Sequence, residues 1–135
     1  MKTTTFTTPQ NTALLIGRVW IVALFMISGL GKISGVEATQ GYMAAMGMPT
    51  SLIWPAITLE VGGSLAVLLG FFTRPLALLF AIYSVISALV FHANFDDQMQ
   101  AINFWKNISI AAGFIFLWVS GPGRYSLEAW LADRK

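Results

Sequence analysis

Apolar residues gather in four long blocks separated by short polar intervals: 13–31, 52–72, 75–93 and 104–120. The blocks are 19, 21, 19 and 17 residues long. A helix that crosses a hydrocarbon core needs about 20 mostly apolar residues, within a range of roughly 17–25, and all four fit. The blocks are continuous rather than alternating, so helices are favoured over the strands of a barrel. Backbone groups find no water in lipid, and a helix satisfies all of its own. The pattern therefore predicts an all-α membrane protein, a four-transmembrane-helix bundle.

The polar intervals divide the rest of the chain. Residues 1–12 form a threonine-rich tail, and residues 32–51 read as the longest loop. Thr73 and Arg74 make a tight turn, with Pro75 suited to the first turn of the next helix. Residues 94–103 read as a polar loop carrying Asp96 and Asp97. Gly121-Pro-Gly-Arg stops the fourth helix. Leu127, Trp130 and Leu131 then fall at helical spacing, which predicts a short C-terminal amphipathic helix along the membrane surface, where tryptophan is favoured. The organisation is a tail (1–12), a four-helix unit (13–120) and a second tail (121–135). A cleaved signal peptide is the rival reading of the first block, but the block is too long and contains Arg18.

Four spans place both termini on one side. That side collects Lys2, Arg74, Arg124, Arg134 and Lys135, whereas the opposite loops hold only Lys32. The positive-inside rule then predicts cytoplasmic termini.

Composition sharpens this picture. Hydrophobic residues make up 56% of the 135 positions and charged residues 10%, against about 25% charged in soluble domains. Disorder is excluded, and a conventional soluble enzyme is disfavoured. The chain has no cysteine, so disulfides, thiolate metal sites, iron–sulfur clusters and a cysteine nucleophile are ruled out. A single histidine excludes bis-histidine haem. The scattered basic residues form no stripe for nucleic acid. No strand precedes Gly62-Gly63, so a nucleotide loop has no support and helix packing is the reading. His92 beside Asp96 and Asp97 is too thin a set for a metal, and none is expected.

The informative residues are charges in the wrong solvent: Arg18, Glu60, His92 and Lys106. A central charge costs at least about 2.5–3.5 kcal/mol on insertion scales, so such groups pair, face the interior or serve function. At 1.5 Å per residue, Arg18 lies about 7–8 Å deep and Glu60 about 18 Å, a gap that two reaching side chains can span, directly or through water. Lys32, His92, Lys106 and Asn107 lie at similar heights near the other face, with Glu60 below them. In a compact bundle these groups converge on one polar pocket. The bland readings stand beside this one. Arg18–Glu60 can serve helix register alone, Lys32 and Lys106 can snorkel to headgroups, and His92 can be an interfacial hydrogen-bonder. Phe25, Phe91 and Trp105 can line a ring pocket or simply pack.

The ordered set of motifs resembles the DoxX family of small membrane proteins. Arg18, Phe25, Ser28-Gly29 and Gly31-Lys32 are similar to its first helix. Leu59-Glu60, Gly62-Gly63, Leu69-Gly70 and Thr73-Arg74 are similar to its second. His92 ends the third helix, Lys106-Asn107 opens the fourth, and Gly121-Pro-Gly-Arg-Tyr-Ser-Leu is similar to the terminal signature. Glu128 stands where many members have Asp. Tyr42-Met-Ala-Ala-Met-Gly-Met-Pro adds to the likeness. The resemblance implies a quinone-linked oxidoreductase or accessory redox subunit of the inner membrane.

Taken together, Glu60 and His92 are the expected catalytic pair, with Glu60 relaying a proton and His92 bonding a ring carbonyl. Arg18, Lys32, Lys106 and Asn107 are the expected substrate-binding groups. A quinone is the expected bound molecule, with no covalent cofactor. The electron source is a soluble or membrane redox partner, because the chain lacks a redox centre. The lipid bilayer and a second copy of the chain are further expected partners. A small-solute transporter, or a non-catalytic assembly partner, is the alternative reading of the same charges.

Overall fold

The computed structural model describes residues 5–135. Helix α1, Thr8–Ser34, starts earlier than the apolar block because its polar first turn is capped. Thr7 and Gln10 form a reciprocal capping box, with Pro9 in the opening turn. Helix α2, Val36–Ala45, occupies what reads as loop in sequence. It ends where Gly47 takes φ +75° and the Met48 amide donates back to the Met43 carbonyl at 2.9 Å, the closure of a glycine-capped helix.

The second span, Thr50–Leu69, is not one regular helix. A 3₁₀ turn, Thr50–Leu52, leads into α3, Ile53–Ile57. A π-helical turn, Thr58–Gly63, follows, and then α4, Ser64–Leu69. Gly70 at φ +72° terminates it. Helix α5 is Thr73–Phe91 and α6 is Gln98–Ser120. The 94–103 loop is thus shorter than the sequence suggests. Asp97 caps α6, its Oδ1 accepting from the amides of Met99 (2.9 Å) and Gln100 (3.3 Å), and so begins the helix in polar sequence. Helix α7, Leu127–Ala132, is capped by Ser126.

Among the described residues there are no strands, and four helical spans are long and apolar enough to cross a membrane. Helix α1 packs along the second span and α5 along α6. The core between them holds Val22, Phe25, Val67, Phe80, Phe114 and Leu117. Large apolar side chains face outward instead: Trp20 is 75% exposed, Ile27 69% and Phe116 73%. In water such a surface would aggregate; in a bilayer it is the solvated one. Four spans of this kind establish a lipid environment.

Both described ends of the chain lie at one end of the bundle, stitched together by the C-terminal segment. The Arg124 amide donates to Asn11 Oδ1 at 2.7 Å. The Glu128 amide donates to the Gly70 carbonyl at 3.0 Å, and Glu128 Oε1 accepts from the Thr73 amide at 2.7 Å. Glu128 therefore supplies an anion at the N-terminus of α5, where unpaired amides and the helix dipole favour one. At the same end, Arg74 donates to the carbonyls of Trp118 (3.1 Å), Val119 (3.3 Å) and Ser120 (3.4 Å), capping the C-terminus of α6. Helix α7 docks here through its first turn. Trp130 and Leu131 stay exposed, and the Arg134 guanidinium stacks 3.7 Å over the Trp130 ring.

Candidate functional site

Glu60 sits in the π turn of the second span, and the turn decides what it meets. An extra residue in the turn breaks the α-helical register and brings Glu60 against α1 and α5. Helix α1 approaches closely because Gly29 has no side chain: a Cβ there would lie 2.7 Å from Val61 Cγ2 and 2.9 Å from Glu60 Cβ. Three donors then reach Glu60 Oε1. They are Ser28 Oγ at 3.1 Å, Lys32 Nζ at 3.0 Å and the Tyr83 hydroxyl at 3.2 Å. Lys32 Nζ also lies 2.8 Å from Oε2, with the Glu60 side chain 4% exposed and that of Lys32 21%, and it donates to Ser28 Oγ at 2.8 Å. The result is a buried, charge-assisted network drawn from three spans.

The pairing of Arg18 with Glu60 is not what forms. Arg18 is buried at the other end of α1 and donates through Nη2 to the Tyr125 carbonyl. The C-terminal segment folds back beneath the bundle and meets the guanidinium there. Gly70 makes room, since a Cβ at that position would collide with Arg18 Nη1 and Ser126. Glu60 finds its cation one turn beyond Ser28, on the same helix stripe, in Lys32.

The other site residues lie elsewhere. His92 Nδ1 is 2.7 Å from Gln100 Oε1, joining the end of α5 to the first turn of α6. His92, Asn103, Lys106 and Asn107 line an open groove of about 840 Å³, with Leu24, Ile102, Trp105 and Ile110 among its apolar walls. Asn107 Nδ2 donates to the Asn103 carbonyl at 3.0 Å. Lys32 and Glu60 are not among the lining residues, so the single polar pocket expected from sequence resolves into two sites, with Arg18 apart from both. Phe25 belongs to the core, Phe91 stacks on Tyr42 with centroids 5.4 Å apart, and Trp105 alone of the three suggested ring-pocket residues lines the groove.

Two partners escaped the sequence reading. Tyr83 lies in mid-span, where a buried phenol needs an acceptor, and that need was the available signal. Gln100 lies in what reads as loop, and no signal marks it until α6 is seen to begin at Gln98. Among the described residues no group of three His, Cys, Asp or Glu side chains is placed to hold a metal ion.

The sequence model of the DoxX family matches residues 13–93. "Inner membrane protein YqjF" of Escherichia coli (strain K12) is 41% identical over 122 residues, covering 90% of this chain and 94% of the relative. "Inner membrane protein YphA" of the same organism is 42% identical over 122 residues, covering 85% and 87%. "Putative oxidoreductase CatD" of Bacillus subtilis (strain 168) is more distant, 30% identical over 76 residues and 56% of each chain. No solved structure matches. A family match across most of the apolar core, two relatives aligned nearly end to end and four membrane-spanning helices lead to one conclusion: the chain is a member of the DoxX family of inner-membrane proteins.

Proposed function

We propose that this chain is the membrane subunit of a quinone-linked oxidoreductase and holds a quinone ring in the groove beside α6. The observation that carries the reading is the make-up of that groove. It is open and apolar-walled, yet it presents His92, Asn103, Lys106 and Asn107. A quinone has the matching chemistry: a flat apolar ring, a lipid-soluble tail and two carbonyl acceptors at opposite edges. In this reading Lys106 and Asn107, neighbours on α6 that line the groove, donate to one carbonyl, and Lys106 stabilises charge that develops there. His92, positioned by Gln100, serves the other. Trp105 supplies aromatic surface. The name of the distant Bacillus relative supports an oxidoreductase setting.

Reduction of a quinone to a quinol takes two electrons and two protons. The sequence contains no redox centre, so the electrons come from a separate reductase partner. Glu60 is the buried carboxylate suited to proton exchange, and Lys32 and Tyr83 hold it. The basic residues Arg74, Arg124, Arg134 and Lys135 at the end carrying the termini support a cytoplasmic placement of that end, which puts His92 and Lys32 on the periplasmic side.

The test is a quinone titration of purified protein in detergent or nanodiscs. Wild type should bind saturably. His92→Ala and Lys106→Met should each weaken binding roughly tenfold or more, the loss of one to two hydrogen bonds to a polar acceptor. Glu60→Gln should leave binding nearly intact, because Glu60 does not line the groove. A well-folded wild type that binds no quinone overturns the reading.

A further inference from the structure

We propose that Glu60 stands at the blind end of a vestibule that admits water and protons only from the loop end of the bundle, where α2 and the α5–α6 connection lie, and that the rings of Phe25, Phe80 and Phe114 seal it from the end bearing the termini. The gradient of exposure gives the direction. Along the ion pair, the Lys32 side chain is 21% exposed and Glu60 4%, and Lys32 is the residue nearer the loop end, one helical turn past Ser28.

The seal lies on the other side. Phe25 is seven residues past Arg18, and Phe80 is seven past Thr73. Both rings therefore lie about 10 Å above the level of Arg18 and Thr73. Ser28 and Tyr83, each bonded to Glu60, are ten residues past the same markers, about 15 Å up. The ring layer is thus roughly one helical turn beneath Glu60. It is dense: Phe80 and Phe114 stack at 4.8 Å and 10°, and Phe25 lies 4.9 Å from Phe80 and 5.7 Å from Phe114. All three are buried, two of them completely.

Below the rings, Arg18 is 1% exposed. A hydrated cation coming from that end would meet a buried guanidinium and then three packed rings, the barrier that pore-lining arginines and hydrophobic constrictions impose elsewhere. Unpartnered buried polar atoms call for water on both sides of the rings, with Arg18 Nε and Thr73 Oγ1 at the end bearing the termini. Ser84, beside Tyr83 in sequence and so at the height of Glu60, has a fully buried hydroxyl with no protein partner. A buried polar group of that kind is ordinarily satisfied by water. Among the described residues, Lys32 and Tyr83 are the charged or titratable groups bonded to Glu60.

One-sided access stands without the quinone reading. Joined to that reading, it means that the protons of quinone chemistry exchange with loop-end water, and that part alone rests on it. The absence of cysteine makes the test direct. Single substitutions Ser28→Cys, Lys32→Cys and Ser84→Cys are placed in oriented proteoliposomes, with Lys135→Cys reporting which face carries the C-terminus. A membrane-impermeant cationic thiosulfonate is added to one face at a time. The expected result is that Lys32→Cys and Ser28→Cys react from the loop-end face alone, Ser28→Cys more slowly. Reaction of Ser28→Cys from the face bearing the termini overturns the seal. Reaction of Lys32→Cys with none at Ser28→Cys or Ser84→Cys, in protein that elutes as a single species with wild-type helicity, overturns the vestibule. Neither readout uses quinone, so a failed quinone titration leaves this result standing.

Discussion

Glu60 carries a carboxylate into a site where 4% of its side chain meets solvent, and the Lys32 ammonium makes that position tolerable. Removing one member of a buried pair strands the other charge, typically at about 3–5 kcal/mol, whereas replacing both is often neutral. Lys32→Met should therefore destabilise the protein by about 3–5 kcal/mol in reversible micellar unfolding. Glu60→Gln should cost less, because Lys32 is 21% exposed and its flexible stem can carry the ammonium toward solvent. The double variant Lys32→Met/Glu60→Gln should recover most of the loss; strictly additive effects would mean that the two charges do not interact. Arg18 shows how far the sequence carries at this scale. That it is interior, and anomalous, is legible from its place in an apolar block. Its partner is not, because depth along two helices cannot reveal a carbonyl supplied by Tyr125, more than a hundred residues away. Glu60 and Lys32 were legible as charged groups of one polar pocket, and Ser28 only as part of the likeness to the family's first helix. Their junction depends on a π turn that no periodicity announces.

At the scale of elements, the contact between α1 and the π turn sets the geometry of that junction. Gly29 faces Val61 and Glu60 with no space for a methyl group, whereas Gly31 on the same helix has nothing within 4 Å of a built Cβ. Gly29→Ala should therefore push the helices apart and destabilise by about 1–3 kcal/mol, the usual range for overpacking. Gly31→Ala should be neutral, since it adds a methyl group to open space. Thermal unfolding of the two variants side by side is the measurement, and equal effects would show that α1 does not approach the second span as described. The four spans themselves were plain in sequence, because twenty apolar residues have few alternatives. The boundaries that moved share a cause. Helices α1 and α6 extend into polar sequence because Thr7 and Asp97 cap them, and α2 forms in a stretch of mixed polarity that no continuous apolar run marks. Apolar runs report what lies in lipid, whereas capping and local turns decide where a helix starts and stops.

At the scale of the whole molecule, it is the surface that departs from that of a soluble protein. Charged and hydroxyl side chains, Arg18, Glu60, Ser64, Thr73 and Ser84, are buried among the helices, while isoleucine, leucine, phenylalanine and tryptophan form the outer surface. Only a hydrocarbon solvent makes this the lower-energy distribution, and it gives the surface a depth-dependent tolerance. Ile82 is 50% exposed near the midpoint of α5, and Phe95 is 55% exposed in the connection beyond that helix. By exposure alone, the two positions should accept lysine equally well. By depth they should not. Lysine at the centre of a span costs about 2.5–3.5 kcal/mol on insertion scales and more on an isolated helix, whereas one near the boundary reaches headgroup water. Ile82→Lys should accordingly lower the fraction of chains inserted in the membrane, with Phe95→Lys close to wild type, as read by membrane-fraction yield and by glycosylation mapping of the third span. Equal insertion of the two variants would mean that α5 does not present Ile82 to lipid and that this face is instead covered, most simply by a second copy of the chain.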